Sequence, residues 1–323
     1  MPRTTPQFKV DASQDSQARR VDSPAIAATD DNRCYRRARG PFMTLPTPDP
    51  AFRWSTEAWG VALRCRPLED VAQHLFTTRQ LELRAGTSSH AAFGNSGSAS
   101  NGELAAGERG WQIAAAAMQA ELSQVMRVKQ VHGRTVRVLR RGEIATADAT
   151  TRPEADAQVS NDPNLVLAAQ VADCVPLLMV DPVHGVAAAV HAGWRGTAAG
   201  IAAAAVEVMQ REFGTRPADI IAAIGPSIGL CCYQVGDDLL DAFSRSYGSE
   251  HTATWFERSA DGRLRLNLWA ANRDQLLACG LAAAGIFTAG LCTQTNVSIL
   301  DSYRVDGLKA GRMAGLIRAP RLG

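Results

Sequence analysis

The chain has 323 residues, enough for one large domain or two closely joined ones. Apolar residues make up 46% and charged residues 20%, the balance of a folded globular protein, and no run approaches the roughly 20 apolar residues of a membrane-spanning helix. The first 42 residues carry eight Lys and Arg against five Asp; the near-neutral remainder offers no electrostatic footprint for nucleic acid.

Residues 1–50 are rich in Pro, Ser, Thr, Asp and Arg and lack apolar periodicity. Such a segment buries too little surface to offset its ordering entropy, so a disordered extension is expected before a folded body over 51–323. Met43 is a second candidate start, which would make residues 1–42 an over-extended reading frame. Folded structure is expected from near Trp54. Gly94–Gly110, dominated by Gly, Ser, Asn and Ala, reads as a mobile loop, and the alanine-rich Trp111–Leu122 as a helix. Val125–Lys129 and Thr135–Leu139 read as strands flanking the turn Gln130-Val131-His132-Gly133.

Leu165–Gln170, Val175–Val180 and Val186–His191 are short apolar runs between turn signals, with Asp181-Pro182-Val183-His184-Gly185 as a hairpin connection. Gly193-Trp194-Arg195-Gly196-Thr197 then opens a helix running through Phe213, its inner face Ile201, Ala204, Ala205 and Val208. Ile220–Ile224 is a further strand. Asn267 caps a helix ending at Cys279, with Gly280 just past it. Together these give strands alternating with helices.

The seven cysteines are odd in number and scattered, which reads as reduced thiols in a cytoplasmic protein. The adjacent Cys231 and Cys232 read as packed thiols, because a vicinal disulfide is strained. Six histidines limit the chemistry. His74, His90 and His251 lie in polar or loop-like settings and are expected to be solvated. His132, Cys174 and His191 each sit at a strand end beside a turn, where side chains can converge. Two imidazoles and one thiolate would give zinc three ligands and an open fourth position. Separations of 42 and 17 residues match no compact metal motif, and by spacing alone a structural role for each is the commoner case. The Gly193–Thr197 turn with Arg195 reads either as an anion site or as a tight strand-to-helix connection.

Lys129–Gly133, Ala172–Pro176, His191–Gly196, Ile224–Gly229, Cys231–Tyr233, Cys292-Thr293, Ser302–Arg304 and Gly311-Arg312 follow one another in a fixed order. That series resembles the laccase-domain family, described variously as multicopper polyphenol oxidase, peptidoglycan editing factor and purine nucleoside phosphorylase. The resemblance implies zinc on His132, Cys174 and His191, which would then be the catalytic centre. It implies an α/β fold of mixed sheet layers flanked by helices, and phosphorolysis of adenosine, inosine or methylthioadenosine, with adenosine deamination. Its Thr-Thr-Arg element falls on Thr77-Thr78-Arg79, which makes Arg79, beside Arg195, a candidate contact for substrate or phosphate. After Arg79 the family's Gly-Gly-x-Ser turn is displaced, here by Gln80–Leu83 before Gly86-Thr87-Ser88, and Asn95 matches its asparagine only loosely.

Two other readings use the same residues. One is a cysteine hydrolase, with Cys174 as nucleophile and His191 as base, acting on an amide-containing cell-wall precursor. The other is a copper oxidase, against which six histidines count. Asp173 is a candidate orienter of His132 or His191. The expected partners are a nucleoside and phosphate, not nucleic acid or membrane. Oligomeric state and the proton donor for the leaving purine are not legible.

Overall fold

The structure is a computed structural model that describes residues 45–83, 106–143 and 152–322. The expected disordered extension lies outside the described residues as far as residue 44. Its last part is held in place: Trp54 Nε1 donates to Pro46 O at 2.7 Å, and Asp49 N donates to Ala289 O at 3.1 Å.

Two six-stranded sheets carry the fold. The first orders its strands Phe52–Glu57, Gly60–Cys65, His74–Phe76, Met313–Arg318, Val166–Val171 and Val125–Met126. The second runs Ile286–Thr288, Ile221–Ile224, Val175–Asp181, Val186–Ala192, Ala157–Ser160 and Val136–Leu139. Both mix parallel and antiparallel pairings, as expected for a mixed α/β protein. A small third sheet joins Gln234–Val235, Leu264–Leu266 and Phe256–Arg258.

Side chains alternate across a strand, and here both faces are buried, so the central strands read as unbroken apolar runs. Leu178, Val180, Ala187 and Ala189 point toward the first sheet, against Phe76, Leu167, Ala169 and Ile317. Their neighbours Leu177, Met179, Ala188 and Val190 point the other way, against Ile201, Ala205 and Met209 of the helix Ile201–Phe213. The outer face of the first sheet is covered by Trp111, Ala114, Ala115 and Met118. The result is a helix–sheet–sheet–helix sandwich.

The hairpin Val175–Asp181 to Val186–Ala192 forms as expected, closed by Asp181 Oδ1 accepting from Val183 N and His184 N. The helix after it departs from expectation. It breaks into Trp194–Ala198 and Ile201–Phe213 at Gly200, where φ is +80°. The Thr197 carbonyl, which would serve the next helical turn, is taken instead by Tyr247 Oη at 3.0 Å and Gln275 Nε2 at 2.9 Å. The helix expected from Trp111 starts earlier, as Ala106–Ala117, so the end of the anticipated loop is helical; 94–105 lie outside the described residues, as do Gly86–Ser88 and Asn95.

His74 corrects another expectation. It is fully buried, accepts from Cys65 N at 2.9 Å through Nε2, and faces the Ala72 carbonyl at 3.1 Å through Nδ1. Burial pulls its pKa down to about 4, so it sits in the core as a neutral ring. His251 is exposed, with its ring edge-on to Trp255, while His90 lies outside the described residues. Among the described residues no helix is long and apolar enough to cross a membrane.

Candidate metal centre

Strand pairing builds the site. In the second sheet Pro176 pairs with His191 and Val175 with Ala192, so Cys174 comes off one strand beside the point where Gly193 leaves the other. The 130–133 turn supplies His132 from the third side. Asp156, one residue before the strand Ala157–Ser160, accepts a 2.7 Å hydrogen bond from His191 N on its backbone carbonyl. The ligand atoms of His132, Cys174 and His191 all lie within 4.8 Å of one another. Cys174 Sγ is 3.9 Å from His132 Nε2, and the two imidazoles meet edge to face with centroids 4.8 Å apart.

The Asp156 carboxylate organises this cluster. Its side chain is fully buried. Oδ1 accepts from His132 N and His191 Nδ1, each at 2.9 Å; Oδ2 accepts from Gly133 N at 2.7 Å and Val131 N at 3.3 Å. His132 has φ +62°, in the left-handed region that a non-glycine residue occupies only when its surroundings hold it there. The carboxylate provides that hold. Its bond to His191 Nδ1 fixes the tautomer and leaves Nε2 facing the cluster.

Asp173, the orienter expected from sequence, does something else. Its φ is +83°, and its carboxylate accepts from Thr293 Oγ1 and Arg304 N while its carbonyl accepts from Ile228 N at 2.9 Å. It therefore ties the Cys174 turn to three distant segments, around Ile228, Thr293 and Arg304. No spacing rule marks Asp156: it lies 24 residues after His132 and 35 before His191. It stands just before the fully buried strand Ala157–Ser160, where an acidic side chain needs several donors.

The electrostatics make a coupled pair. Burial pushes the Cys174 thiol up, but the His191 charge and hydrogen bonds from His132 and His191 outweigh it and bring it down to about 6. Burial pulls His191 down, but the Cys174 charge and the Asp156 hydrogen bond raise it to about 9. Asp156 is pushed up by burial and held down overall by His191 and the Gly133 and His132 amides.

The donor set fits a metal: two imidazole nitrogens and a low-pKa thiolate, gathered at a partly exposed cleft. A second observation concerns space. A Cβ on Gly193 would lie 2.9 Å from Cys174 Sγ and 3.0 Å from His132 Cδ2. Gly193→Ala is expected to displace both ligands and lower zinc affinity at least about 10-fold, the scale of losing a positioning partner. Competition with a chromophoric chelator measures this, with unchanged circular dichroism confirming the fold.

Protonation adds a pH prediction. Zinc needs Cys174 as thiolate and His191 neutral. Below about 6 both must lose a proton on binding; between about 6 and about 9 only His191 does. Apparent zinc affinity should therefore rise with pH, more steeply below about 6 than above it. A chelator titration at several pH values checks it; a flat profile contradicts the assignment.

Arg195 is exposed on the short helix Trp194–Ala198, its guanidinium stacked 4.3 Å from the Trp194 ring centroid. Its charge, with those of Arg304, Cys174 and Asp173, is felt by the phenol of Tyr233, which burial pushes up. Arg79 is committed elsewhere. It donates to Val297 O and lies 3.8 Å from Asp301 and 3.7 Å from Asp306. No contact of Arg79 with the three ligands is present.

A two-sheet α/β sandwich with a His2Cys group at adjoining strand ends defines a candidate metal-binding protein. The chain belongs to the family described as multi-copper polyphenol oxidoreductase laccase, whose profile matches residues 73–320. It is similar to "Purine nucleoside phosphorylase" of Bacteroides thetaiotaomicron, 39% identical over 158 residues, which are 49% of this chain and 58% of that protein. It is also similar to "Adenosine deaminase RL5" of an unknown prokaryotic organism, 38% identical over 49% of this chain and 59% of that protein. The matched stretches thus span less than two thirds of these relatives. "Purine nucleoside phosphorylase YlmD" of Geobacillus stearothermophilus is 38% identical over 58% of this chain and 70% of its own length. The crystal structure of that organism's YlmD superposes with a TM-score of 0.67 at 32% identity, covering 83% of this chain and 99% of that one.

Proposed function

We propose that this protein is a zinc-dependent purine nucleoside phosphorylase that also deaminates adenosine. The observation that carries the reading is the convergence of His132, Cys174 and His191, backed by Asp156, in a chain whose relatives bear those two names. When bound, zinc supplies Lewis acidity at a coordination position that three protein ligands leave open.

The chain's own groups do the rest. Asp156 holds the His191 Nδ1 proton and the backbone of His132, so both imidazoles are positioned before substrate arrives. Arg195, stacked on Trp194 and two residues after Gly193, is the proposed anion contact. In phosphorolysis a phosphate oxygen bonds to C1′ as the C1′–N bond breaks, and the purine leaves with a proton. In deamination water replaces the amine at C6 and ammonia leaves. The preferred nucleoside is proposed only as a class, adenosine, inosine or methylthioadenosine.

The test is incubation of metal-quantified protein with each nucleoside, with and without phosphate. Phosphate-dependent release of the free base, and ammonia from adenosine alone, is the expected result. No turnover of any of the three at full zinc loading would sink it. The low thiol pKa of Cys174 beside His191 favours one competing reading, the cysteine hydrolase. In that case metal-stripped protein keeps its activity and an alkylating agent destroys it.

A further inference from the structure

A second group of soft ligands lies behind the first. Cys231, Cys232 and Cys292 bring three sulfurs within 4.8 Å of one another, and the Cys231 and Cys232 Sγ atoms are 3.6 Å apart. Sequence alone shows the adjacent pair; the third member arrives through tertiary structure. Ser227 and Cys292 form a parallel bridge, with Ser227 N donating to Leu291 O at 3.2 Å and Thr293 N to Ser227 O at 3.0 Å. Cys292 is thereby buried under the Gly229–Tyr233 turn, whose Cys232 and Tyr233 amides both donate to Gly229 O at 3.0 Å.

We propose that Cys231, Cys232 and Cys292 form a second metal site, for a thiophilic d10 cation such as Zn2+ or Cu+. Three sulfurs are the ligand chemistry that selects such ions. Metal–sulfur bonds of about 2.3 Å place neighbouring sulfurs of one shell roughly 3.8 Å apart, close to the 3.6 Å seen here. A disulfide would need about 2.05 Å between sulfurs. Gly229 N donates to Cys292 Sγ at 3.3 Å, a contact that favours the thiolate. Cys231 is exposed, which gives an ion an entry path and leaves room for water to complete a four-coordinate shell.

The position assigns the site a structural role. Ile228, in the same turn, donates from its amide to the Asp173 carbonyl, and Asp173 is the left-handed residue just before Cys174. An ion on the three cysteines would clamp the turn that holds the Cys174 backbone in place.

The test loads the reduced full-length chain anaerobically with Zn2+ alone or with Cu+ alone, then counts ions per chain by mass spectrometry. The wild type should hold about two ions with at least one of the cations, and C231S/C232S about one, because the His2Cys group remains. The arm in which the second ion binds names the cation. Equal loading of wild type and C231S/C232S in both arms overturns the proposal and leaves the His2Cys reading intact. A second measurement avoids any folding defect in that variant. C174S loaded with Co2+ keeps no cysteine in the first group, so a sulfur-to-cobalt charge-transfer band that is lost again in C174S/C292S comes from the second. Such a band supports the site; its absence, with no second Cu+ held by the wild type, overturns it.

Discussion

Replacing Cys174 with alanine is expected to remove zinc from the His2Cys group and nucleoside turnover with it. The thiolate is the one anionic ligand of the three, and two imidazoles alone leave the ion short of both charge and coordination. The loss should exceed the roughly 10–100-fold that follows removal of a supporting partner, because here a ligand itself is gone. The fold should survive. Cys174 is only partly buried and sits ahead of a strand whose own residues carry the packing. Zinc counted per chain alongside activity checks the coupling. Turnover retained without bound metal would move the chemistry away from the ion.

Asp156→Asn is expected to have the second largest effect, and on two readouts. The carboxylate accepts four hydrogen bonds, three from consecutive amides and one from His191 Nδ1. An amide side chain offers one acceptor oxygen, and its NH2 group would face donors. The His191 Nδ1 donor is buried and the three amides are in part-buried bonds; a buried donor left unserved costs about 1–3 kcal/mol, so the melting temperature should fall by several degrees. His191 also loses the group that fixes its tautomer, and zinc affinity should drop about 10–100-fold. The split between the readouts is informative. Lower stability with unchanged affinity would make Asp156 a scaffold residue only.

Much of the architecture was legible because its signals are local. The Asp181–Gly185 connection and the apolar runs beside it specify a hairpin, and Asn267 caps its helix through Ala270 N as the residue type suggests. The ordered motifs picked out His132, Cys174 and His191, and the fold brings those three side chains together. What stayed hidden depends on side chains meeting from afar. The break at Gly200 follows from Tyr247 and Gln275 capturing a carbonyl, and neither is near it in sequence. His74 sits in a polar stretch yet becomes a buried core ring because Cys65 N and Ala72 O receive it. Asp156 carries no motif of its own, and Cys292 joins Cys231 and Cys232 only through the bridge at Ser227. Arg79 was marked by a motif match alone, and the fold sets its part-exposed guanidinium beside Asp301, Asp306 and the Val297 carbonyl.

The measurement that bears most directly on the metal centre is an anomalous difference map from zinc-loaded crystals, recorded on both sides of the zinc absorption edge. The prediction is a peak about 2.0–2.3 Å from His132 Nε2, Cys174 Sγ and His191 Nε2 together, with His191 Nδ1 still on Asp156. Zinc-saturated crystals with no anomalous density among those three atoms would contradict it.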